Sequence, residues 1–600
     1  LDGVARAAPR HPPRMTYTIG IDVGGTFTDI VVAAADGRTI VAKAATTPRD
    51  QSDGVLDGVA LAAQRLGLDT AALLGATERI VHGTTAATNA LLEGKTARVG
   101  MLTTEGHRDV VEMREGLKPE RYNMRMAAPE PLVPRRLRLP VRERLRADGS
   151  TETALDRASL DAAIDALARE DVQAVSICFL HAWRDPVHER AAEQAVRARM
   201  QDAFVTASSD VLPRIKEFER FSTTVANAAV GPVIRNYLGR LSGRLAEAGY
   251  RGELLVILSH GGVASVAEAT RLAAGTALSG PAGGVAAAVA LAREGVARDL
   301  VTFDMGGTST DIALVRDGQP TLSDGKTVAN ARIALPSLDI VTLGAGGGSI
   351  GKIDRAGLLA VGPESAGADP GPACYGQGGT EPTVTDANLV LGYLDPANFL
   401  GGRRLLDLDA ATRAAERVGA RLGLDAAATA AGIHRLVNTR MADGVRVATV
   451  RRGVDPRGFA LLAFGGAAGL HVSAVAAELG IARVVVPVAA SVLSAWGMLN
   501  TDLRVELTRG QEQIGDLDTA ALRRSYEEME REGRQRLSWF GGEIALSRSA
   551  EMRYGEQVYE IPVALDGLDW DAPDLADRIA EAFHAAHERL YTYALRDRPD

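Results

Sequence analysis

The stretch that decides this fold is IDVGGTFTDI, residues 21–30, which returns nearly unchanged as FDMGGTSTDI, residues 303–312. Both copies carry the pattern D-x-G-G-T-x-T-D. Each lies between two apolar runs, TYTIGI and IVVAA around the first, DLVTF and IALV around the second. This arrangement predicts an antiparallel hairpin, because adjacent glycines accept positive φ at the bend and let the backbone come close to a ligand. It does not match a strand-to-helix dinucleotide loop. Nor does Gly94-Lys95-Thr96 end a P-loop, since that pattern needs a glycine where Asn89 stands; the triplet predicts a helix end.

Such a hairpin has a definite chemical use. The backbone at Gly24, Gly25, Gly306 and Gly307 and the hydroxyls of Thr26, Thr28, Thr308 and Thr310 can donate to phosphate oxygens. Asp22, Asp29, Asp304 and Asp311 can hold Mg²⁺, mostly through its water. Either copy alone fits a purely structural hairpin equally well. Turn chemistry does not, however, demand both acids and both threonines twice over. The repeat therefore predicts two related lobes, each presenting a phosphate clamp, with a nucleoside triphosphate between them.

At 600 residues the chain exceeds the size at which one hydrophobic core stops growing, so two or three domains are expected. With 64 Gly and 4% aromatics it is rich in tight turns packed by Ala, Val and Leu. A net charge of −9 with scattered arginine excludes the footprint of a nucleic-acid binder. The two cysteines, Cys178 in an apolar run and Cys374 in a Gly/Pro loop, form no disulfide framework or zinc site, which fits a reducing cytoplasm. Residues 1–14 read as a disordered leader before Met15. The most apolar window, 484–499, is broken by Pro487, Ser491, Ser494 and Gly497, so a buried strand and turn is expected there and no membrane span.

Helical spacing in 156–170 and 188–200 around the strand-like DVQAVSICFL predicts β-α alternation between the hairpins. A helix is expected over 408–422. From about residue 511 a charged helical pattern and two strand-like runs predict a separate α+β domain. The expected division is thus 15–215, 216–510 and 511–600.

The paired hairpins resemble the phosphate motifs of the actin, sugar-kinase and heat-shock ATPase superfamily, which implies an α/β fold with two ribonuclease-H-like lobes around a nucleotide cleft. Further stretches resemble the hydantoinase A/5-oxoprolinase family: VHGTTAATNALLEGK (81–95), ALSGPAGGV (277–285), TLGAGGGSI (342–350), the 361–392 segment and FGGAAGLH (464–471). The C-terminal MRYGEQVYEIPV is similar to that family's tail, and the chain ends earlier than such proteins normally do.

The resemblance implies ATP and Mg²⁺ as cofactors, with Asp22 and Asp304 positioning the metal and Asp29 or Asp311 orienting the nucleophile. It implies nucleotide contacts at Gly465 and Gly466 in the adenosine motif, at Gly280 beside Ser279, and at Gly346 and Gly347 in a backbone nest. The plainer alternatives are a strand-helix turn and an N-cap. His82, Thr84 and Thr85 are candidates for holding an anionic intermediate, against a capped surface helix. The 361–392 loop, with Glu364, Asp369, Cys374, Tyr375 and Asp386, reads as a functional lid, with Asp386 equally a helix cap. His107 and Arg114 rank lower.

The implied activity is ATP-dependent hydrolysis of a cyclic amide (hydantoin, 5-oxoproline or lactam) through phosphorylation of its oxygen. The rival is the ATP-binding subunit of a ketone carboxylase, and a rival of another class is an actin-type nucleotide-gated binding module. The chain has the extent of the A half alone and lacks a zinc-type histidine cluster. A hydantoinase-B-like partner holding any further metal, in a cytoplasmic hetero-oligomer of A and B subunits, is therefore expected.

Overall fold

The computed structural model describes residues 15–25, 27–47, 50–116, 120–399, 401–402, 404–510, 517–555, 557 and 559–596. The expected leader and Thr26 lie outside the described residues. The chain forms two compact units, one of residues 1–98 and 226–503, the other of 99–225 and 504–600. The chain crosses between the units at 98/99, 225/226 and 503/504.

The first unit is built on two mixed sheets of matching order. In one, Thr39–Ala45, Phe27–Ala34 and Tyr17–Val23 run antiparallel, and Thr77–Gly83 and Glu253–Ile257 continue parallel to Tyr17–Val23. In the other, Ile340–Leu343, Thr310–Arg316 and Leu300–Met305 are antiparallel, followed in parallel by Ala460–Phe464 and Arg483–Val485. The sequence repeat is therefore the visible part of a repeated five-strand order. In chain order, residues 99–225 enter between the fourth and fifth strands of the first sheet.

One core joins the two sheets. Val81 and Ile257 of the first and Leu300, Val315 and Leu462 of the second share a cluster with the helices Gly280–Arg293 and Leu493–Leu499. Those helices touch backbone to backbone: a side chain at Gly283 would put its Cβ 2.5 Å from the Ser494 carbonyl, and one at Gly497 would collide with the Gly283 carbonyl. The buried strand and turn expected over 484–499 is instead a short strand at Arg483–Val485 with Val484, Val486 and Val488 exposed, a 3-10 turn at Ala490–Val492 and the helix Leu493–Leu499, whose Gly497 allows this approach in a way that local pattern does not reveal.

The 361–392 segment is more ordered than a loop. It contains the end of the strand Leu359–Ser365, a 3-10 turn Ala373–Tyr375 and the helix Val384–Val390. Asp386 is fully buried and accepts from Ala373 N (3.1 Å), Cys374 N (2.7 Å), Thr383 N and Thr383 Oγ1 (both 2.8 Å), closing a capping box. The capping reading of Asp386 is the correct one.

In the second unit, Arg138–Val141, Val99–Thr104, Ala174–Cys178 and Phe204–Ala207 form a parallel sheet, with helices Arg157–Arg169 and Val187–Arg199 where the periodicity places them. Its C-terminal part packs the helices Thr519–Arg536 and Leu575–Tyr591 with the hairpin Ser549–Met552/Ile561–Ala564 around Tyr526, Tyr554 and Phe583. Ion pairs Arg214–Glu551 (2.5 Å) and Lys216–Glu560 (2.9 Å) tie the two segments of this unit together. Among the described residues no helix is long and apolar enough to cross a membrane.

Candidate active site

Register explains why the repeated motif needs two acids. Asp22 pairs directly across from Asp29, and Asp304 from Asp311, so each hairpin sets two carboxylates side by side. The bends are closed by Gly24 N to Phe27 O and Gly306 N to Ser309 O, each 3.0 Å. At Gly25 and Gly307 an added Cβ would meet nothing within 4 Å, so the tips open outward.

All four carboxyls are pushed upward. Burial, reinforced by Asp29, raises Asp22 to about 7. Burial raises Asp29, opposed by Lys43, whose ammonium sits 2.7 Å away. Burial raises Asp311 to about 6, opposed by the Thr342 hydroxyl that donates to it at 2.6 Å. Asp304 rises well above the carboxylate range through burial and the charges of Asp311, Asp22 and Asp29. Four half-buried acids, three of whose charges bear on Asp304, with Lys43 as the adjacent cation, fit a divalent ion. Among the described residues no group of three or more His, Cys, Asp or Glu is placed to hold a metal ion. The repeat differs at one point. Lys43 and Thr342 occupy equivalent third-strand positions opposite Asp29 and Asp311, so one acid is ion-paired and the other only hydrogen-bonded.

Supporting loops explain the remaining glycines. Gly465, at φ +88, brings its turn against the Asp304 carboxylate, where any Cβ would collide. Gly466 is open. The 344–348 loop differs from the expected nest: Gly347 N donates to Gly306 O (3.0 Å) and Gly348 N to Gly307 O (2.6 Å). Gly346 presses on the hairpin backbone, where a Cβ would lie 2.8 Å from Gly307. Of the two residues expected to meet phosphate, Gly347 thus spends its N–H bracing the second hairpin and Gly346 spends its own on Ser349 Oγ at 2.9 Å.

The hydantoinase/oxoprolinase family description matches residues 220–507, and that of its N-terminal region matches residues 18–200. The chain is 40% identical over 596 residues to caprolactamase subunit alpha of Pseudomonas jessenii, covering 98% of this chain and 86% of that protein. The chain belongs to the hydantoinase/oxoprolinase family. A crystal structure of the ATP-dependent caprolactamase of that organism superposes with TM-score 0.86 at 39% identity, covering 97% of this chain and 86% of that one. A nucleotide-free acetone carboxylase superposes with TM-score 0.79 at 28% identity, covering 96% and 85%.

Several family-type motifs acquire physical roles. A cavity of about 400 Å³ lies beside the FGGAAGLH turn. It is lined by His434, Arg435 and Asn438 of the helix Ala426–Ala448, with Tyr393, Ala474 and Glu478. His434 stacks on the buried His471 (ring centroids 4.7 Å) and faces Tyr393 (5.1 Å), while Asn438 bridges both histidines at 3.1 and 2.7 Å. The flat rings of His434 and Tyr393 at the cavity suit a heterocyclic base. Sequence reasoning missed this wall because Tyr393, His434 and Glu478 come from separate segments and meet only in the fold.

His82 is fully buried, 2.8 Å from the Tyr237 hydroxyl, and burial lowers it to about 3, so it is neutral. Gly83 follows it, and a Cβ there would lie 3.3 Å from Asp22 Oδ1, which sets the 83–86 turn beside the clamp. Thr84 accepts from Ala86 N (3.1 Å), and Thr85 accepts from Gln51 Nε2 and Asn89 Nδ2 (both 3.3 Å). Gly280 opens the helix Gly280–Arg293 with its Cβ direction 4.0 Å from Thr85 Cγ2. Cys374 is buried among Leu389, Leu406 and Ala411, and burial pushes its thiol up, so it is not poised as a nucleophile.

Proposed function

We propose that this chain is the ATP-using subunit of a cytoplasmic amidohydrolase that opens a cyclic amide through phosphorylation of the amide oxygen. The observation that carries this reading is the meeting of Asp22, Asp29, Asp304 and Asp311 from two equivalent hairpins. The two sheets are read as ribonuclease-H-like lobes, the glycine tips as phosphate clamps, and the Tyr393–His434 cavity as the seat of the base. The cyclic-amide class is supported by the relatedness to a caprolactamase subunit.

Mg²⁺ bound at Asp22 and Asp304 would supply charge neutralisation to the triphosphate. The chain's own groups do the remainder. The open tips at Gly25 and Gly307 and the hydroxyls of Thr26 and Thr308 fix the β- and γ-phosphates; the N–H groups of Gly24 and Gly306 close the bends, and the hydroxyls of Thr28 and Thr310 are buried, that of Thr310 donating to Ala345 O at 2.5 Å, so these four expected phosphate contacts are spent within the hairpins. Asp311, which has no ion pair among the described residues, orients the attacking oxygen. The amide oxygen bonds to the γ-phosphorus as the bond to the bridging oxygen breaks and ADP leaves. Water then adds to the activated carbon and the C–N bond breaks with the nitrogen taking a proton, leaving an acyl phosphate that a second water hydrolyses to the carboxylate and inorganic phosphate. Relatives are named as subunits alpha, beta and gamma of larger enzymes. Accordingly, a hydantoinase-B-like partner is proposed to complete the hydrolytic half and to hold any further metal, in a hetero-oligomer.

The test is ADP release by this chain co-expressed with its B-type partner. Stimulation by a hydantoin, 5-oxoproline or a lactam is expected. Stimulation only by a ketone with bicarbonate would instead make it a carboxylase, the reading favoured by the acetone carboxylase superposition. Silence with every substrate would leave a nucleotide-gated module. The base pocket predicts a second result. Removing the ring in His434→Ala raises the KM for ATP about tenfold, the scale of one aromatic stacking contact, while inhibition by inorganic tripolyphosphate is unchanged.

A further inference from the structure

This chain avoids lysine. Of its 67 Lys and Arg residues only six are lysine, at positions 43, 95, 118, 216, 326 and 352. Lys118 lies outside the described residues. Four of the others each have a carboxylate partner: Lys43 with Asp29 (2.7 Å), Lys95 with Glu93 (2.7 Å), Lys216 with Glu560 (2.9 Å) and Lys352 with Glu364. Lys326 has none among the described residues. Its ammonium donates at 2.7 Å to the carbonyl of Ala277, leaving two further N–H donors. Burial alone draws its pKa down to about 7.

The position is built rather than incidental. Lys326 follows Gly325, whose φ of +117 and contact with the Ile333 carbonyl exclude any side chain there. The strand Lys326–Val328 packs on the helix Ala86–Leu92. The acceptor Ala277 precedes Leu278, a bulky residue held at φ +55 whose N–H donates to Thr88 Oγ1 at 2.7 Å. Next, Ser279 Oγ donates to Thr84 O at 3.3 Å and Gly280 lies beside Thr85. Two separate motif stretches, 81–95 and 277–285, therefore close on one another at Lys326, and the same turn reaches Asp22 through Gly83. A half-buried ammonium without a counter-ion is costly unless a ligand supplies the anion, and strained bulky residues gather at ligand clamps.

We propose that Lys326 is the oxyanion anchor of the acceptor-substrate site, binding a carboxylate or phosphate oxygen beside Thr85 and the 277–280 turn. The assignment rests on the phosphoryl-transfer reading and deepens it: the substrate carries an anionic group, or the anchor receives the transferred phosphoryl group.

Six lysines make the test direct. Reductive ¹³C-methylation gives few signals, and Lys326→Arg identifies that of Lys326 by its loss. The probes are inorganic phosphate, 5-oxoproline and its uncharged ring analogue 2-pyrrolidinone, with ADP affinity measured by calorimetry on the unmethylated protein. A shift of the Lys326 signal with 5-oxoproline but not 2-pyrrolidinone assigns a substrate carboxylate. A shift with phosphate alone assigns the phosphoryl group. In turnover with the partner, Lys326→Met is expected to raise the KM for the anionic substrate about tenfold or more at unchanged ADP affinity. A signal unmoved by every probe, in protein that still binds ADP, overturns the anchor while leaving the clamp intact. Failure of the wild-type chain to bind ADP overturns the phosphoryl-transfer reading itself.

Discussion

Asp304→Asn is expected to lower substrate-stimulated ADP release by on the order of 10³-fold, the scale seen when one preorganised electrostatic group is removed from a transition state. Asp304 earns this weight from its surroundings. It is the carboxyl on which the charges of Asp311, Asp22 and Asp29 all act, and the Gly465 turn is moulded against its oxygen. Asparagine preserves shape and the contact with Gly465 while removing the charge, so the fold is undisturbed and the loss falls on cation and phosphate handling. Asp29→Asn makes a useful contrast. It leaves the Lys43 ammonium, now 2.7 Å from a neutral amide, without its counter-ion, so some of its effect appears as lost stability. Steady-state ADP release, paired with thermal melts of both variants, separates the two. Full activity in Asp304→Asn would remove the basis for placing the metal there.

The hairpins were legible because every requirement was local. Gly-Gly fixes the bend, apolar alternation fixes the strands, and the register then forces Asp22 opposite Asp29 and Asp304 opposite Asp311. The family-type stretches were legible for the same reason, as contiguous letters. What sequence did not expose depends on chain segments meeting. The helix Leu493–Leu499 reads as a turn until Gly497 is seen against Gly283, and the glycines of 344–348 read as a phosphate nest until the N–H groups of Gly347 and Gly348 are found on the second hairpin. The His434–His471–Asn438 wall and the isolation of Lys326 likewise come from side chains brought together across long separations, and single histidines or lysines carry no signal alone. Asp386 shows the converse. A Thr383-x-x-Asp386 spacing is a local cap signature, and the structure uses it as one.

The pH dependence of cation stabilisation gives the second large effect. Asp22 and Asp311 have ordinary carboxyl values near 3.8 when unfolded, and burial raises them to about 7 and about 6 in the folded chain. A raised carboxyl means that the folded state binds protons more tightly than the unfolded one. Through these groups stability therefore falls as pH rises from about 4 to about 7, and is level above that. Two buried histidines act in the opposite sense. His82 and His471 are drawn down from 6.5 to about 3, so their contribution grows as pH rises toward 6.5. The absolute melting temperature mixes the two trends, but the increment gained on adding Mg²⁺ with ADP does not, because the histidines are neutral in both conditions. That increment is expected to grow by on the order of 5 °C between about pH 5 and about pH 8, as the cation replaces protons and offsets the repulsion among the four acids. Asp22→Asn should flatten the increment over the same range, and it should make the cation-free chain more stable than wild type near pH 8, since a neutral amide avoids a buried charge that Lys43 offsets only in part. An increment that is constant with pH in the wild type would mean that the carboxyls are already ionised without the cation, and that the clamp is held open by water rather than by protons.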